Sequence, residues 1–186
     1  FGRVLFRARN GYKAGTLAEQ KGFTVLRVAS RDSTQRAARE KQENYNNLRR
    51  VVHLVRDAPV MLLYNLRTEL GLVNGTVGKL VSAVLRPDAE TDDGGLRNAV
   101  HADKVRYLVV DVPGYEGPVF WPDHPTWVPV PPVEVRHQKK KMFTRTQLPV
   151  TLAWGLTIHK SQGLTFKLPC VVDFMPPPNH PPVAIG

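Results

Sequence analysis

The chain has 186 residues, 42% of them hydrophobic, which suffices for a core in one domain or in two small ones. Its 26 Lys and Arg residues exceed its 16 Asp and Glu residues, so the formal net charge is +10. This charge favours polyanionic partners over acidic proteins or neutral metabolites, and nucleic acid is the first candidate. An excess of basic residues is also common in proteins in which the charge serves only to maintain solubility.

The sequence lacks the usual signs of a disulfide scaffold, a zinc site or a membrane anchor. Its single cysteine, Cys170, cannot form an internal disulfide, and no cysteine-histidine cluster has the spacing of metal ligands. No apolar run is long enough to span a membrane, and the first ten residues lack the apolar core of a signal peptide. We therefore expect an intracellular protein without a metal.

The first third of the chain predicts a strand followed by a long helix. Thr24–Ala29 is a β-branched run that ends at the polar residues Ser30–Ser33, which suit the start of a helix. From Thr34 to about Val55 there is no Gly or Pro, and apolar residues recur at mostly helical spacing. The charged residues of this predicted helix are expected on a solvated face.

The middle of the chain has a β pattern. The apolar run Val60–Tyr64 and a predicted strand at Val77–Leu85 flank Val73–Thr76, whose Asn-Gly pair suits a tight turn with positive φ. Arg86–Lys104 is polar and contains glycine, which predicts a surface loop. The apolar residues 105–112 predict another strand.

A proline-rich stretch and a basic hairpin follow. The prolines of residues 113–132 exclude a helix there and favour a turn followed by extended, edge-like segments. Two predicted strands, Val133–His137 and Met142–Leu148, flank the basic tip Gln138–Lys141. Together, residues 59–148 predict a small, strongly bent β-sheet or barrel.

The pattern becomes helical again after Pro149, which is tolerated at a helix start. The predicted helix runs from Val150 to Gly163, where glycine suits the left-handed residue that ends a helix, and Trp154 is expected in the core. Hydrogen-bond donors gather in its last turn and at its cap, namely Thr157, His159, Lys160, Ser161 and Gln162. Residues 168–174 predict a buried strand.

Two sequence blocks resemble DNA helicases of the petite-integration-frequency type, which are relatives of the RecD subunit. LPVTLAWGLTIHKSQGLTF, followed by CVVDF, resembles the helix and core strand of that family's His-Lys-Ser-Gln-Gly motif. APVMLLYNLRTELGLVNGTVGKLV resembles the block in which an Asn-Gly turn opens a small barrel. The GYEGP turn resembles that barrel in the family's eukaryotic, often mobile-element-associated branch. FRARN resembles a Thr-Arg-Asn segment of the family, with Arg9 and Asn10 matching.

The resemblance implies an α/β fold: a partial RecA-like, P-loop NTPase-type second motor domain with an inserted small β-barrel of the Src-homology kind. Residues 1–58 would form the first part of the RecA-like domain, residues 59–148 the barrel, and residues 149–186 a truncated return to the RecA-like domain. It also implies that the partners are single-stranded DNA, duplex junctions and a missing first RecA-like domain. The expected location is the nucleus.

The activity implied by the resemblance is ATP-driven movement from 5′ to 3′ along single-stranded DNA, with ATP and Mg²⁺ as cofactors of the full-length enzyme. In the family, the motif helix lines the DNA channel and abuts the ATP cleft, so Gly163 and Arg9 would form part of the ATP-site wall. The DNA-binding role would fall on Thr157, His159, Lys160, Ser161 and Gln162. Such donors at a helix end can hold phosphate oxygens without reading bases.

The sequence also departs from a complete helicase. It contains no Gly-x-x-x-x-Gly-Lys-Ser/Thr loop for nucleotide phosphates, and the Gly-Lys pair at Gly78-Lys79 has the wrong spacing and suits the barrel turn. We therefore expect a fragment with no catalytic residue of its own, which binds no ATP by itself.

Other interpretations remain open. One alternative is a non-catalytic nucleic-acid-binding module, such as a remnant of a mobile-element helicase, in which the barrel and Lys139, Lys140 and Lys141 hold a phosphate backbone. Both interpretations predict salt-sensitive binding to single strands. The motif side chains can alternatively satisfy buried carbonyls, and Lys160 can interact with the helix dipole. Trp121 and Trp127 can stack on bases or pack against prolines.

Overall fold

The computed structural model describes Leu17 and residues 19–22, 25–89 and 100–154. These residues form mainly β-strands. The strands are β1 (Leu26–Ala29), β2 (Arg31–Asp32), β3 (Val51–Leu54), β4 (Pro59–Leu62), β5 (Val77–Leu85), β6 (Val100–His101), β7 (Val105–Asp111), β8 (Trp127–Val130), β9 (Val133–Arg136), β10 (Thr144–Gln147) and β11 (Val150–Leu152). One short α-helix, α1 (Gln35–Arg39), is accompanied by 3-10 turns at Gln42–Tyr45, Thr68–Leu70 and Ala102–Lys104.

The largest sheet is antiparallel and has the strand order β11-β4-β5-β7-β8. Alternate side chains of its strands enter the main core, among them Leu80 on β5, Leu108 on β7 and Val128 on β8. A Cβ on Gly78 would lie 2.6 Å from the carbonyl oxygen of Asp111, so the close pairing of β5 with β7 requires glycine at this position.

Two three-stranded sheets adjoin the large one. In the order β3-β1-β6, β1 is antiparallel to β3 and parallel to β6. In the order β2-β10-β9, the β9-β10 hairpin is extended by the two residues of β2. The chain passes from the first of these sheets to the second at Ser30, and from β10 into the large sheet at Leu148 and Pro149. Strands distant in sequence are thereby joined.

The long helix predicted from Thr34 to Val55 is wrong. A helix does begin after Thr34, whose Oγ1 accepts a hydrogen bond from the backbone N–H of Ala37 at 3.0 Å, but it ends at Arg39. Asn46 and Asn47 have left-handed φ values of 51° and 62°, which break any helical continuation. The β-branched residues that follow form β3, because pairing with β1 buries alternate side chains.

Two other predictions are corrected at the chain's later elements. Val150–Leu152 is not the start of a helix but strand β11, and all three residues are buried where β11 pairs with β4. The predicted surface loop Arg86–Lys104 is wrong at its end, since residues 100–101 pair with β1 and Ala102 is fully buried. In both places a tertiary pairing partner decides the structure, and local composition does not reveal it.

Several individual strands predicted from the sequence are confirmed, whereas the barrel expected for residues 59–148 stays a prediction. Strand β5 has the predicted bounds, Gly75 has the positive φ of 102° that the tight turn requires, and β7 occupies the predicted run. Strands β9 and β10 form the predicted hairpin around the basic tip. The domain boundaries stay a prediction. Strand β4, which is assigned to the barrel, pairs with β11, which is assigned to the RecA-like domain.

The side chains form one main core and one small satellite cluster. The main core draws on the large sheet and on β1 and β3, and Trp154 packs at its edge. The satellite cluster consists of Tyr45, Leu48 and Val135, with Tyr64, Val133 and Phe143 at its margin. It lies beneath the β9-β10 hairpin. No helix in the described ranges is long and apolar enough to cross a membrane.

Candidate nucleic-acid interface

The structure describes only part of the predicted site. The motif residues Thr157, His159, Lys160, Ser161, Gln162 and Gly163 lie outside the described residues, as does Arg9. The predicted strand at residues 168–174 is also outside them. The lysine tip, defined here as Gln138–Met142 between β9 and β10, is described in full. The lysine tip is therefore the part of the candidate interface that the structure describes.

The base of the hairpin is anchored by a buried arginine on β10. Arg145 is 1% exposed, and its Nε donates to the Oδ1 atom of Asp32 at 2.7 Å. Its Nη1 donates to the carbonyl oxygen of Leu48 at 3.1 Å, and its guanidinium lies 4.3 Å from the ring centroid of Tyr45. A buried cation requires such partners. The segment from β2 to Leu48 is thereby fixed against the hairpin.

Tyr45 connects this anchor to α1. Its hydroxyl donates to the carbonyl oxygen of Ala37 at 3.1 Å, and burial raises the pKa of the phenol although the Arg145 charge opposes that shift. The phenol therefore stays protonated, and its hydroxyl can donate the hydrogen bond to Ala37. The ring edge of Tyr45 meets His137 with a centroid separation of 5.2 Å, which carries the packing from the base of the hairpin to its tip.

His137 organises the lysine tip from below. The side chain is 2% exposed, and its Nδ1 accepts two backbone hydrogen bonds, from Lys139 at 3.1 Å and from Lys140 at 3.0 Å. Because Nδ1 accepts, the ring proton of the neutral imidazole lies on Nε2, which is 3.4 Å from Oε2 of Glu40. This contact is therefore a hydrogen bond from a neutral ring to a carboxylate. The imidazole fixes the backbone of the tip.

Further backbone contacts close the tip. The N–H of His137 donates to the carbonyl oxygen of Phe143 at 2.8 Å, and the N–H of Phe143 donates to that of Lys140 at 2.8 Å. Gln138 donates its backbone N–H to Asn44 at 3.0 Å, so the tip is also attached to the 3-10 turn that follows α1. A loop with this many internal partners presents its side chains in a defined arrangement.

The three lysines differ in their surroundings. Lys140 forms an ion pair with Glu40, and its ammonium lies 5.6 Å from the ring centroid of Phe143. The hydrogen bond from Lys140, followed by that from His137, lowers the pKa of Glu40 against the opposing effect of desolvation. Lys139 and Lys141 are exposed and have no side-chain partner among the described residues. These two are the cations free to meet an external anion.

Sequence reasoning finds the lysines but misses their support. The predicted long helix places Glu40 on a solvated face, whereas the structure brings it to Lys140, 100 residues later in the chain. His137 appears in the sequence only as the last residue of a predicted strand. No local signal identifies either role, because both depend on packing between distant segments.

The tryptophans of the proline-rich stretch pack against one another and against neighbouring rings. Trp121 lies 6.2 Å from Trp127 and 6.4 Å from Tyr107 between ring centroids. His124 is stacked on Trp127 with a centroid separation of 3.7 Å and an interplanar angle of 9°. One face of Trp127 is thus occupied, which favours the packing interpretation for that residue. In the same loop, Phe120 is 49% exposed.

No group of three or more His, Cys, Asp or Glu side chains within residues 25–89 and 100–154 is arranged to hold a metal ion.

Comparison with known proteins places this geometry in context. The chain is 34% identical over 130 residues to the ATP-dependent DNA helicase PIF1 of Danio rerio, a match that covers 66% of this chain and 15% of that protein. It is 34% identical over 116 residues to the human PIF1 helicase, covering 61% of this chain and 14% of that protein. The chain is similar to a segment of the PIF1 helicases. The resemblance predicted from the sequence is thereby confirmed. No family model matches the chain.

Solved structures agree in fold. The Pif1 helicase from Candida albicans matches with a TM-score of 0.56 and 25% identity, over 88% of this chain and 36% of that one. Bacteroides Pif1 bound to ssDNA also has a TM-score of 0.56, at 20% identity, over 88% of this chain and 31% of that one. The described residues therefore have the fold of part of a Pif1 helicase. The chain spans about 15% of the length of the curated relatives it matches.

Proposed function

We propose that the chain is the C-terminal part of an ATP-dependent helicase that moves 5′ to 3′ on DNA, contributing single-stranded DNA contacts and one wall of the inter-domain ATP site. The observation that carries this proposal is the identity to PIF1 helicases over two thirds of the chain. The rigidly held, solvent-exposed lysine tip supports the DNA-binding part of it. The expected location is inside the cell, in the nucleus.

The finer architecture is part of the proposal. Residues 1–58 and 149–186 would belong to the second RecA-like domain, and residues 59–148 to an inserted small β-barrel of the Src-homology kind. Four strands of the large sheet, β4, β5, β7 and β8, and the β9-β10 hairpin lie within residues 59–148 and would supply the strands of such a barrel. The first RecA-like domain would be a partner that completes the ATP site. Duplex junctions would be the substrates on which the complete motor acts.

The nucleotide would be held mainly by residues outside this sequence. The chain has no phosphate-binding loop, and Gly163 and Arg9, which we assign to the ATP-site wall, lie outside the described residues. A related Bacteroides helicase has been solved with ADP-AlF3 and ssDNA. When bound to the full-length enzyme, ATP and Mg²⁺ would supply the phosphoryl transfer that powers movement. The residues of this chain would bind and orient the DNA strand.

Substitution of the motif helix tests the DNA contact. We expect His159→Ala, Ser161→Ala and Gln162→Ala together to weaken binding of a fluorescein-labelled oligothymidylate more than combined Ala substitution of the three tip lysines. The reason is that the motif helix would line the DNA channel, whereas the tip would hold a phosphate backbone outside it. Fluorescence anisotropy at several salt concentrations measures both losses. The purified chain should show no ATPase activity, and robust hydrolysis would contradict the proposal.

The second candidate, a non-catalytic nucleic-acid-binding module, makes the opposite prediction. In that case the lysine tip supplies most of the affinity, and substitution of the motif residues has little effect. The observation that supports this second candidate is the solvent exposure of Lys139 and Lys141. The ranking of the two multiple variants decides between the candidates, since one variant changes only motif residues and the other changes only lysines of the tip.

A further inference from the structure

Two basic triplets meet at the lysine tip. Arg39-Glu40-Lys41 ends α1 and leaves it, and Lys139-Lys140-Lys141 forms most of the tip. The middle residues of the triplets, Glu40 and Lys140, form an ion pair, and His137 lies beside Glu40. The two segments are therefore fixed to each other at their centres. The ion pair neutralises the centre and leaves the outer charges uncompensated.

The outer residues of both triplets are exposed cations. We call Arg39 and Lys41 the helix cations, and Lys139 and Lys141 the tip cations. None of the four has a side-chain partner among the residues that the structure describes. Each of the four is next in sequence to Glu40 or Lys140, and these two residues form the ion pair. The helix cations therefore lie within a few residue lengths of the tip cations.

We propose that the helix cations and the tip cations form one binding surface for the phosphate backbone of a single nucleic-acid strand, with the Glu40–Lys140 pair and His137 as its fixed centre. This inference rests on the proposed function and extends it to Arg39 and Lys41. The long-helix prediction places these two residues on a solvated face without a role. The structure brings them to the lysine tip.

The charge distribution supports a polyanionic ligand. Gln35–Asn44 and Gln138–Met142 together contain six basic and two acidic residues, which is a dense share of the chain's net charge of +10. Such clustering raises the local concentration of an anionic strand. Lysine and arginine contacts to phosphates carry no sequence information, which suits a protein that must hold any sequence.

Paired substitutions measure the surface. We expect Arg39→Ala/Lys41→Ala and Lys139→Ala/Lys141→Ala each to weaken binding of a short labelled oligothymidylate. If each cation holds one phosphate, each pair should reduce the slope of log K against log salt concentration by about 1.4, from about 0.7 per single-strand phosphate. All four positions are exposed, so folding should be preserved, and circular dichroism checks this. An oligomer with an uncharged methylphosphonate backbone should bind weakly and without a salt slope.

Arg86→Ala/Arg106→Ala is the matched control. It removes the same charge from exposed positions at the end of β5 and on β7, in a different sheet. We expect a smaller loss of affinity and an unchanged slope. If the helix-cation variant behaves like this control while the tip-cation variant loses affinity, the inference is overturned and the proposed DNA binding stands. If the unmodified chain binds no single strand, the proposed function itself fails. Preferential binding of phosphatidylserine vesicles over the oligomer would overturn both.

Discussion

The two ends of the β9-β10 hairpin are held by contrasting interactions. At the base, the Arg145–Asp32 ion pair has side-chain exposures of 1% and 6% and is surrounded by carbonyl acceptors and the Tyr45 ring. At the tip, the side chains of the Lys140–Glu40 pair are 54% and 23% exposed. Both pairs join the hairpin to the segment that begins at β2 and ends before β3. They differ in how much water surrounds them.

The difference in exposure predicts different roles for the two ion pairs, one in the stability of the hairpin and the other in the position of its lysines. A buried pair contributes through the large penalty for leaving one partner uncompensated, whereas an exposed pair is screened and contributes little. The base can therefore determine whether the hairpin is folded, and the tip can determine where its lysines lie. His137 lies between them, buried like the base but hydrogen-bonded to the backbone of the tip. Substitutions at the three levels should produce three sizes of effect.

The largest effect is expected at the base. Arg145→Met leaves the buried Asp32 carboxylate without its cation partner, and it should lower the free energy of unfolding by about 3–5 kcal/mol. Urea denaturation followed by circular dichroism measures the change. Arg67→Met is the matched control, since Arg67 pairs with Glu69 at side-chain exposures of 67% and 59%. It should cost less than about 1 kcal/mol. Equal losses in the two variants would remove the contrast between buried and exposed pairs.

An intermediate effect is expected at His137. His137→Phe keeps a ring in the pocket but removes the acceptor of two backbone N–H groups, and it should cost about 1–3 kcal/mol. Asn at the same position offers an amide oxygen close to the place of Nδ1. We therefore expect amide hydrogen exchange of Lys139 and Lys140 to accelerate in His137→Phe and to stay near the original rate in His137→Asn. Equal acceleration in both variants would show that ring packing, and not the acceptor, holds the tip.

The smallest effect is expected at Glu40 and depends on pH. The folded state lowers the pKa of this carboxyl from its ordinary value of 4.5, so its contribution to stability is present above that value and is lost as the pH falls through the lower one. Glu40→Gln should therefore be less stable than the unmodified chain at about pH 6, and this deficit should shrink as the pH falls below the ordinary value of 4.5. Urea denaturation at about pH 6 and at a series of lower pH values measures the deficit. A deficit independent of pH would mean that the carboxylate charge has no part in fixing the tip.

The parts of the fold that were predictable from sequence are those with local signals. The β-branched and apolar residues of Val77–Leu85 and the Asn-Gly pair before them suffice to predict β5 and its turn. The basic tip between two short β patterns likewise suffices for the β9-β10 hairpin. In each case the residues that determine the structure are neighbours in the chain, so propensity and turn chemistry agree with the final pairing.

The rest depended on partners far away in sequence. The residues of β3 have helical spacing when read alone, and only pairing with β1 makes them a strand. Val150–Leu152 gives no sign that β4 is its neighbour. The roles of Glu40 and His137 at the candidate site could not be predicted for the same reason. Both roles arise from contacts between segments about half the chain apart. The lysines themselves were predictable because charge is visible residue by residue.

The central claim is that the lysine tip and the end of α1 together bind a single nucleic-acid strand. Titration of the isotopically labelled chain with oligothymidylate, followed by amide chemical shifts, tests it most directly. We predict clear shift changes at residues 39–41 and 139–141, in addition to those at the motif residues, and we expect the changes at these two segments to disappear at high salt concentration. Shift changes confined to other surfaces, with these two segments unaffected, would contradict the claim.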